Sequence, residues 1–306
     1  MSVRTDFHYM RSVADDDATK ALLDELALEW DQVRHYGKVP AGEDILQLNM
    51  AGRKFFMKRK TATSTIDTFL EAFQHAHHMR ITQFSGKDDQ IVVDLGANEG
   101  YYLMAMKMTN PCLRIIAAEP VIETFEILKM NVEQNNLQNI ELVNKAVTAK
   151  SGKIPFQIIP EVSVVNATDI AMQGREWLDN KRIHTIKVDS TTLPALFNKY
   201  KLKNIDILKL DVEGSELDIL KSSAQILKHI RKIVVEYHSI ALKEKCSAFL
   251  SQNWFQLVLD ESEGKSCGDL YFINRKFEAQ KPVVKQVKTE ESAPKKKTKK
   301  KRRFYG

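Results

Sequence analysis

Cysteine, proline and glycine are all scarce in this chain of 306 residues, which holds three, eight and twelve of them. Cys112, Cys246 and Cys267 lie far apart, are odd in number and never form a C-x-x-C pair. That excludes a disulfide framework and a structural zinc site, and it fits a reducing, cytoplasmic setting. So little Gly and Pro rules out a collagen-like or low-complexity body. No apolar run approaches the roughly 18 residues that a membrane-spanning helix needs. The opening residues, MSVRTDFHYMRSVADDDATK, lack the apolar stretch of a secretory signal.

What is present is ordinary for a globular protein, with 43% hydrophobic and 28% charged residues. The length suits one large domain with appendages. The net charge of +6 hides a division. Eleven of the 46 basic residues and two of the 40 acidic ones fall at or after Lys281, leaving 35 against 38 ahead of it. The body is mildly acidic and the tail strongly basic, so no folded basic face is implied.

Three regions follow. In residues 1–85, an amphipathic helix is expected over 16–36, where Leu22, Leu23, Leu26, Trp30 and Val33 recur at helical spacing. A hairpin is expected over 44–58 with Gly52 in its turn, then a helix over 66–79 capped by Ser64 or Thr65. That helix carries His75, His77 and His78, read as a solvated face because the i, i+3 pair has no third ligand in view. Residues 86–275 alternate strands and helices. Strands are expected at 91–95, 114–119, 140–144, 205–211, 233–238, 255–260 and 269–274. The early ones are continuous apolar runs, as buried parallel strands are. This predicts an α/β, doubly wound, mostly parallel seven-stranded sheet, its last two strands an antiparallel edge pair. Segments 153–159 and 183–188 interrupt the alternation, and 160–182 reads as an insertion. Residues 276–306 should be a disordered tail, with eight basic residues among the nine from Lys295 to Arg303.

The strongest local signal is IVVDLGANEGYYLMAM. A buried strand ends in Asp94 and turns through Gly96, Ala97, Asn98, Glu99 and Gly100 into a helix. In open α/β sheets ligands bind at the carboxyl ends of the strands, where this turn sits. Gly96 lets backbone approach a ligand, Gly100 lets the helix pack on the strand, and Asn98 tolerates a left-handed conformation. The spacing is neither G-x-G-x-x-G nor a lysine-bearing triphosphate loop. Glu119 ends the second strand, where a carboxylate accepts ribose hydroxyls; that also fits a dinucleotide. Asp94 decides, because a carboxylate repels pyrophosphate and attracts an ammonium. The ligand is then a nucleoside joined to an amino acid, as in S-adenosylmethionine. The bland alternative is a turn that only caps the helix.

The ordered segments DLGANEGYY, AAEP, NKAV, ILKLDVEGSELDIL and IVVEYHS, covering about 88–240, resemble the FkbM family of S-adenosylmethionine-dependent methyltransferases. The resemblance implies a class I (Rossmann-like) methyltransferase sheet and methyl transfer, usually to a hydroxyl. It implies that Asp94, Gly96, Ala97, Asn98 and Gly100 cradle the methionine end, that Glu119 takes the ribose with Pro120 shaping the next turn, and that Lys145 and Ala146 lie near the adenine. The insertion with Trp177 and the tail fall outside it.

Asp211, Glu213 and Glu216 follow the fourth core strand. Glu236 and His238 end the fifth, two apart and therefore on one face. Transfer of a methyl group to an alcohol needs alignment and a base. His238 is the candidate base, Glu236 its orienter or a substrate ligand, and Asp211 an orienter. Alternatively, Asp211, Glu213, Glu236 and His238 hold Mg²⁺ or Mn²⁺. The leading expectation is an O-methyltransferase acting on a small-molecule or glycan hydroxyl. The alternatives are an RNA ribose methyltransferase tethered by Lys295–Arg303, or a non-catalytic cofactor-binding protein. The tail also reads as a nuclear-import segment if the source has a nucleus.

Overall fold

The computed structural model describes residues 3–36, 44–75, 82–159, 162–167, 183–261 and 267–278. Of the tail expected to be disordered over 276–306, residues 276–278 instead end the short helix Arg275–Glu278, and the rest, including Lys295–Arg303, lies outside the described residues, as do 160–161 and 168–182 of the insertion and His77 and His78.

Helices α1 (Val3–Ser12) and α2 (Asp17–Tyr36) precede a hairpin of β1 (Ile45–Met50) and β2 (Arg53–Lys58). The hairpin closes over Ala51 and Gly52, both at positive φ, 50° and 70°. This is the handedness that matches strand twist in a two-residue turn. Helix α3 (Ala62–Leu70) begins earlier than expected and passes into a π turn at Glu71–His75. Its start is a 3₁₀ turn at Arg59–Thr61 that feeds straight into it, so Ser64 and Thr65 are not caps. Instead, the Ser64 hydroxyl donates back to Thr61 O at 2.9 Å.

The central sheet holds seven strands: β3 (Ile91–Leu95), β4 (Arg114–Ala118), β5 (Ile140–Val143), β10 (Ile205–Leu210), β11 (Ile230–Tyr237), β12 (Phe255–Asp260) and β13 (Gly268–Asn274). Their spatial order is β12-β13-β11-β10-β3-β4-β5. Five strands are parallel, and β13 runs antiparallel to both β11 and β12. The chain enters at the centre with β3, winds outward to β5, then returns to β10 on the other side. The resulting crevice lies at the carboxyl ends of β3 and β10. Strand β11 starts three residues before the expected 233. Arg231 and Lys232 disguise its beginning, but each meets a carboxylate, Asp206 at 2.8 Å and Asp89 at 2.6 Å.

The interrupting segments form a second sheet of four strands, ordered β6-β9-β7-β8, from β6 (Ala146–Val147), β7 (Gly152–Ile159), β8 (Val162–Ala167) and β9 (His184–Thr191). Strand β8 lies against α3.

Helices α4 (Tyr101–Thr109) and α5 (Ile122–Gln134) cover one face of the central sheet. The amino-terminal elements join them in one core: Met10, Leu23, Leu48 and Phe55 belong to the same cluster as Val92, Ile115, Ile207 and Val234. The opposite face carries α6 (Leu193–Lys199), α7 (Glu216–Ser222) and α8 (Ile240–Gln252). Asn131 of α5 ties hairpin to sheet. Its side chain accepts from Phe56 N at 2.7 Å and donates to Phe56 O and Glu99 O at 3.1 and 2.8 Å. It is wholly buried, so Asn131→Ala strands three backbone groups away from water. We expect a loss on the order of 3 kcal/mol in urea unfolding; a loss below about 1 kcal/mol would show that the tie is not needed.

Candidate functional site

Strand β3, IVVDL, is buried along its length because β4 and β10 flank it and helices cover both faces. Leaving Leu95, the chain folds over the neighbouring strand ends. Gly96 N and Ala97 N both donate to Ala118 O, at 3.0 and 2.9 Å, and Asp211 N donates to Leu95 O at 3.0 Å. Gly96, Asn98 and Gly100 take φ of 85°, 48° and 90°. The vacancy at Gly96 faces protein rather than open space, since a Cβ there would lie 1.7 Å from Asp211 O. Gly100 meets α5, where a Cβ would lie 2.5 Å from Leu128 Cδ1.

Beside this turn is a cavity of about 550 Å³, within the size range of small-molecule sites. Asp94, Gly96, Ala97, Asn98, Asp211 and Glu236 line it, so six expected residues converge there. The walls are strongly acidic. Asp94, Asp211, Glu236 and Asp269 rise from the sheet, and Glu71, Glu99 and Glu261 stand around them. Lys209 is the one Lys or Arg among the described lining residues.

Asp94 is fully buried, and neither carboxylate oxygen has a hydrogen-bond partner among the described residues. Burial pushes its pKa up to about 6, partly offset by Lys209. Lys209 donates to Asp211 Oδ2 at 2.7 Å and lies over the Tyr102 ring. Burial disfavours its charge, but Asp211, Asp94 and Glu236 outweigh that and hold it charged. Asp211 is kept below the usual carboxylate range because Lys209 and His238 overcome its desolvation. Burial, then the charges of Asp211 and Asp269, keep Glu236 well above that range. Asp269, the cross-strand partner of Glu236, is pushed up to about 6, chiefly by burial.

His238 sits behind the cavity wall. Its Nε2 is 3.2 Å from Glu213 Oε2 and 3.8 Å from Glu236 Oε1, and its Nδ1 is 3.5 Å from Glu216 Oε1. Burial alone would lower the imidazole pKa. The close approach of Glu216 and the charges of Glu213, Glu216 and Asp211 raise it to about 9. The carboxylates gathered around the ring thus favour its protonated form.

Four further residues are expected at the nucleoside. Glu119 accepts from Asn98 N at 3.1 Å and Val121 N at 2.9 Å, one bond to each oxygen, so it braces the turn from beneath. Burial pushes its pKa up to about 8. Pro120 offers its carbonyl to Asn144 Nδ2 at 3.1 Å. Lys145 is exposed, and Ala146 is buried in the small second-sheet core. None of these four lines the cavity.

Glu99 links the turn to the amino-terminal elements. Thr65 donates to its Oε1 at 3.2 Å, and Tyr101 Oη lies 3.0 Å from its Oε2 and 2.9 Å from Phe56 O. One phenolic hydrogen cannot serve both acceptors. Burial pushes Glu99 up to about 7; when protonated it donates to Tyr101, which then donates to Phe56 O.

Lys209 and Asp269 escaped sequence reasoning. Lys209 had a signal: it shares a strand face with Ile205, Ile207 and Asp211, in register with Asp94. Asp269 had none, because only the antiparallel pairing with β11 brings it in.

Against known families, the methyltransferase FkbM domain matches residues 94–271. Methyltransferase sdnD of Sordaria araneosa is 26% identical over 196 residues, covering 56% of this chain and 76% of the relative. Hexuronic acid methyltransferase AglP of Haloferax volcanii is 26% identical over 166 residues, covering 53% and 61%. 2-O-methyltransferase NoeI of Sinorhizobium fredii is 22% identical over 178 residues, covering 55% and 71%. Among solved structures, the human methyltransferase 10 domain containing protein aligns with a TM-score of 0.44 and 14% identity, covering 81% of this chain and 94% of that one, too loosely to argue from. Among the described residues, no helix is long and apolar enough to cross a membrane.

Proposed function

The chain belongs to the FkbM methyltransferase family, and on that premise we propose that it transfers a methyl group from S-adenosylmethionine to a hydroxyl of a sugar-like small molecule. One observation carries the choice of donor: the buried, unpartnered carboxylate of Asp94 in a cavity walled by seven carboxyl groups and one lysine. Such a wall repels the pyrophosphate of a dinucleotide. It attracts a ligand with a sulfonium and an ammonium. Asp94 receives the ammonium, and Lys209, beside it, is the one lining cation for the ligand's own carboxylate.

The acceptor oxygen attacks the methyl carbon in line with the carbon–sulfur bond, which breaks with its electron pair on sulfur to leave S-adenosylhomocysteine. The hydroxyl proton passes to the carboxylate of Asp211 at the cavity wall. Glu236, held in its protonated form, hydrogen-bonds an acceptor hydroxyl, and alignment supplies much of the rate. His238 positions Glu213 and Glu236 from behind. A sugar-type acceptor is favoured by the relatives named for a hexuronic acid and for 2-O-methylation.

Calorimetry with S-adenosylmethionine, S-adenosylhomocysteine, NAD and ATP tests the donor. The first two should bind; tight NAD binding with no response to S-adenosylhomocysteine would overturn the proposal. The affinity should also depend on pH. Asp94, facing Lys209 and Tyr102 with Asp211 beyond, is anionic above about 6 and neutral below. S-adenosylhomocysteine should therefore bind progressively more weakly as pH falls through about 6.

A further inference from the structure

We propose that the tips of β10 and β11 hold a divalent cation, Mn²⁺ or Mg²⁺, on Asp211, Glu213 and His238, at the edge of the cavity. The inference deepens the methyl-transfer reading and rests on it only for the cation's purpose. One carboxylate oxygen from each acid and one ring nitrogen lie within 4.8 Å of one another. The Glu213 Oε2 to His238 Nε2 distance of 3.2 Å is close to what adjacent ligands show around an octahedral ion with bonds of about 2.1 Å. Glu236 Oε1, 3.8 Å from the same nitrogen, stands ready as a fourth ligand or as an acceptor for a bound water.

A second observation points the same way. Glu216 is wholly buried behind the imidazole, its Oε1 is 3.5 Å from His238 Nδ1, and its Oε2 has no hydrogen-bond partner. Metal-binding histidines nearly always present their second ring nitrogen to a carboxylate, a backbone carbonyl or water, which fixes the ring so that the first nitrogen faces the ion, and Glu216 can fill that place. Glu216 is itself held, since Oε1 also accepts from Val212 N and Gly214 N at 3.2 and 3.0 Å. The ligand side chains are 13–24% exposed, so an ion can reach them.

The ligands come from rigid places. Asp211 follows β10, and His238 follows β11, which pairs with β10 in parallel register. Glu213 projects from the intervening turn. Two carboxylates and one imidazole, without thiolate, suit a hard ion, and the nitrogen favours Mn²⁺ over Mg²⁺. An acceptor hydroxyl bound to the ion loses its proton more readily. With Asp211 committed to the ion, that proton passes to water instead, the oxygen bonds to the methyl carbon, and the carbon–sulfur bond breaks with its pair on sulfur.

The test is Mn²⁺ titration of the full chain, read by electron paramagnetic resonance, with S-adenosylhomocysteine calorimetry on the same samples. We expect one Mn²⁺ per chain, displaced by excess Mg²⁺. Glu213→Gln and His238→Gln should each weaken Mn²⁺ at least tenfold while S-adenosylhomocysteine still binds, which shows the variants are folded. Absence of Mn²⁺ binding in a protein that binds S-adenosylhomocysteine would overturn the metal site and leave the donor reading standing. So would equal Mn²⁺ affinity in the double variant. Mn²⁺ binding without S-adenosylhomocysteine binding would support the site and overturn the donor reading instead.

Discussion

Asp94→Asn should weaken S-adenosylhomocysteine binding by about 10- to 150-fold, the equivalent of roughly 1.5–3 kcal/mol for a hydrogen bond to a charged group, and should raise the melting temperature of the ligand-free protein. The two effects share one cause. Asp94 is buried with both oxygens unpartnered, an arrangement that costs stability until a cation arrives. Its folded pKa of about 6 exceeds the ordinary 3.8. The fold therefore favours the protonated acid, and stability is lost as pH rises from the lower value through the higher. An amide of the same shape carries no charge to desolvate. The variant should lose both that pH dependence and its grip on the ligand ammonium. Calorimetry and thermal unfolding between pH 4 and pH 8 measure both. Unchanged ligand affinity would show that Asp94 is not the anchor.

Gly96→Ala should be far more damaging than Gly100→Ala, although both glycines sit in one turn at similar positive φ. At position 96 the new methyl group would meet Asp211 O at 1.7 Å and its carbonyl carbon at 2.8 Å. Backbone just past the end of a central strand cannot rotate aside, so β3 and β10 must part. We expect about 3 kcal/mol or more of destabilisation in urea unfolding, from overpacking added to left-handed strain. Ligand binding should fail too, because Asp94, Lys209 and Asp211 lose their mutual placement. At position 100 the methyl group meets only the end of the Leu128 side chain, which can turn. The cost there should approach the roughly 1–2 kcal/mol of the conformation alone. Equal losses for the two variants would contradict this account.

The turn itself was readable in sequence because its parts are local. A buried strand, an acid, two glycines and a helix start occur within a dozen residues, and they imply a strand-end ligand turn whatever the rest of the chain does. The reason for Gly96 was not readable, because the atom that forbids a side chain there belongs to Asp211, just past the end of β10. Glu119 was readable as the acid that ends the second strand, whereas its bonds from Asn98 N and Val121 N were not, because they depend on how the two adjoining turns fold. His238 was placed on the right face by the two-residue period, but the three carboxylates around it were not foreseen together, because two of them come from the loop and helix after β10. Lys209 was visible as a charge on a strand face shared with Ile205 and Ile207, while Asp269 depended on a pairing across the sheet that no local pattern encodes.

The shared core of the amino-terminal elements and the sheet has a consequence for anyone trimming the chain. The matched family segment begins at Asp94, but the apolar face behind that strand is completed by Met10, Leu23, Leu48 and Phe55. A fragment starting at residue 86 would present Val92, Ile207 and Val234 to water, together with the bare end of the cavity that Thr68 and Glu71 close. Such a cut is a recipe for self-association rather than a smaller soluble enzyme. The boundary of recognisable ancestry and the boundary of independent folding fall in different places on this chain.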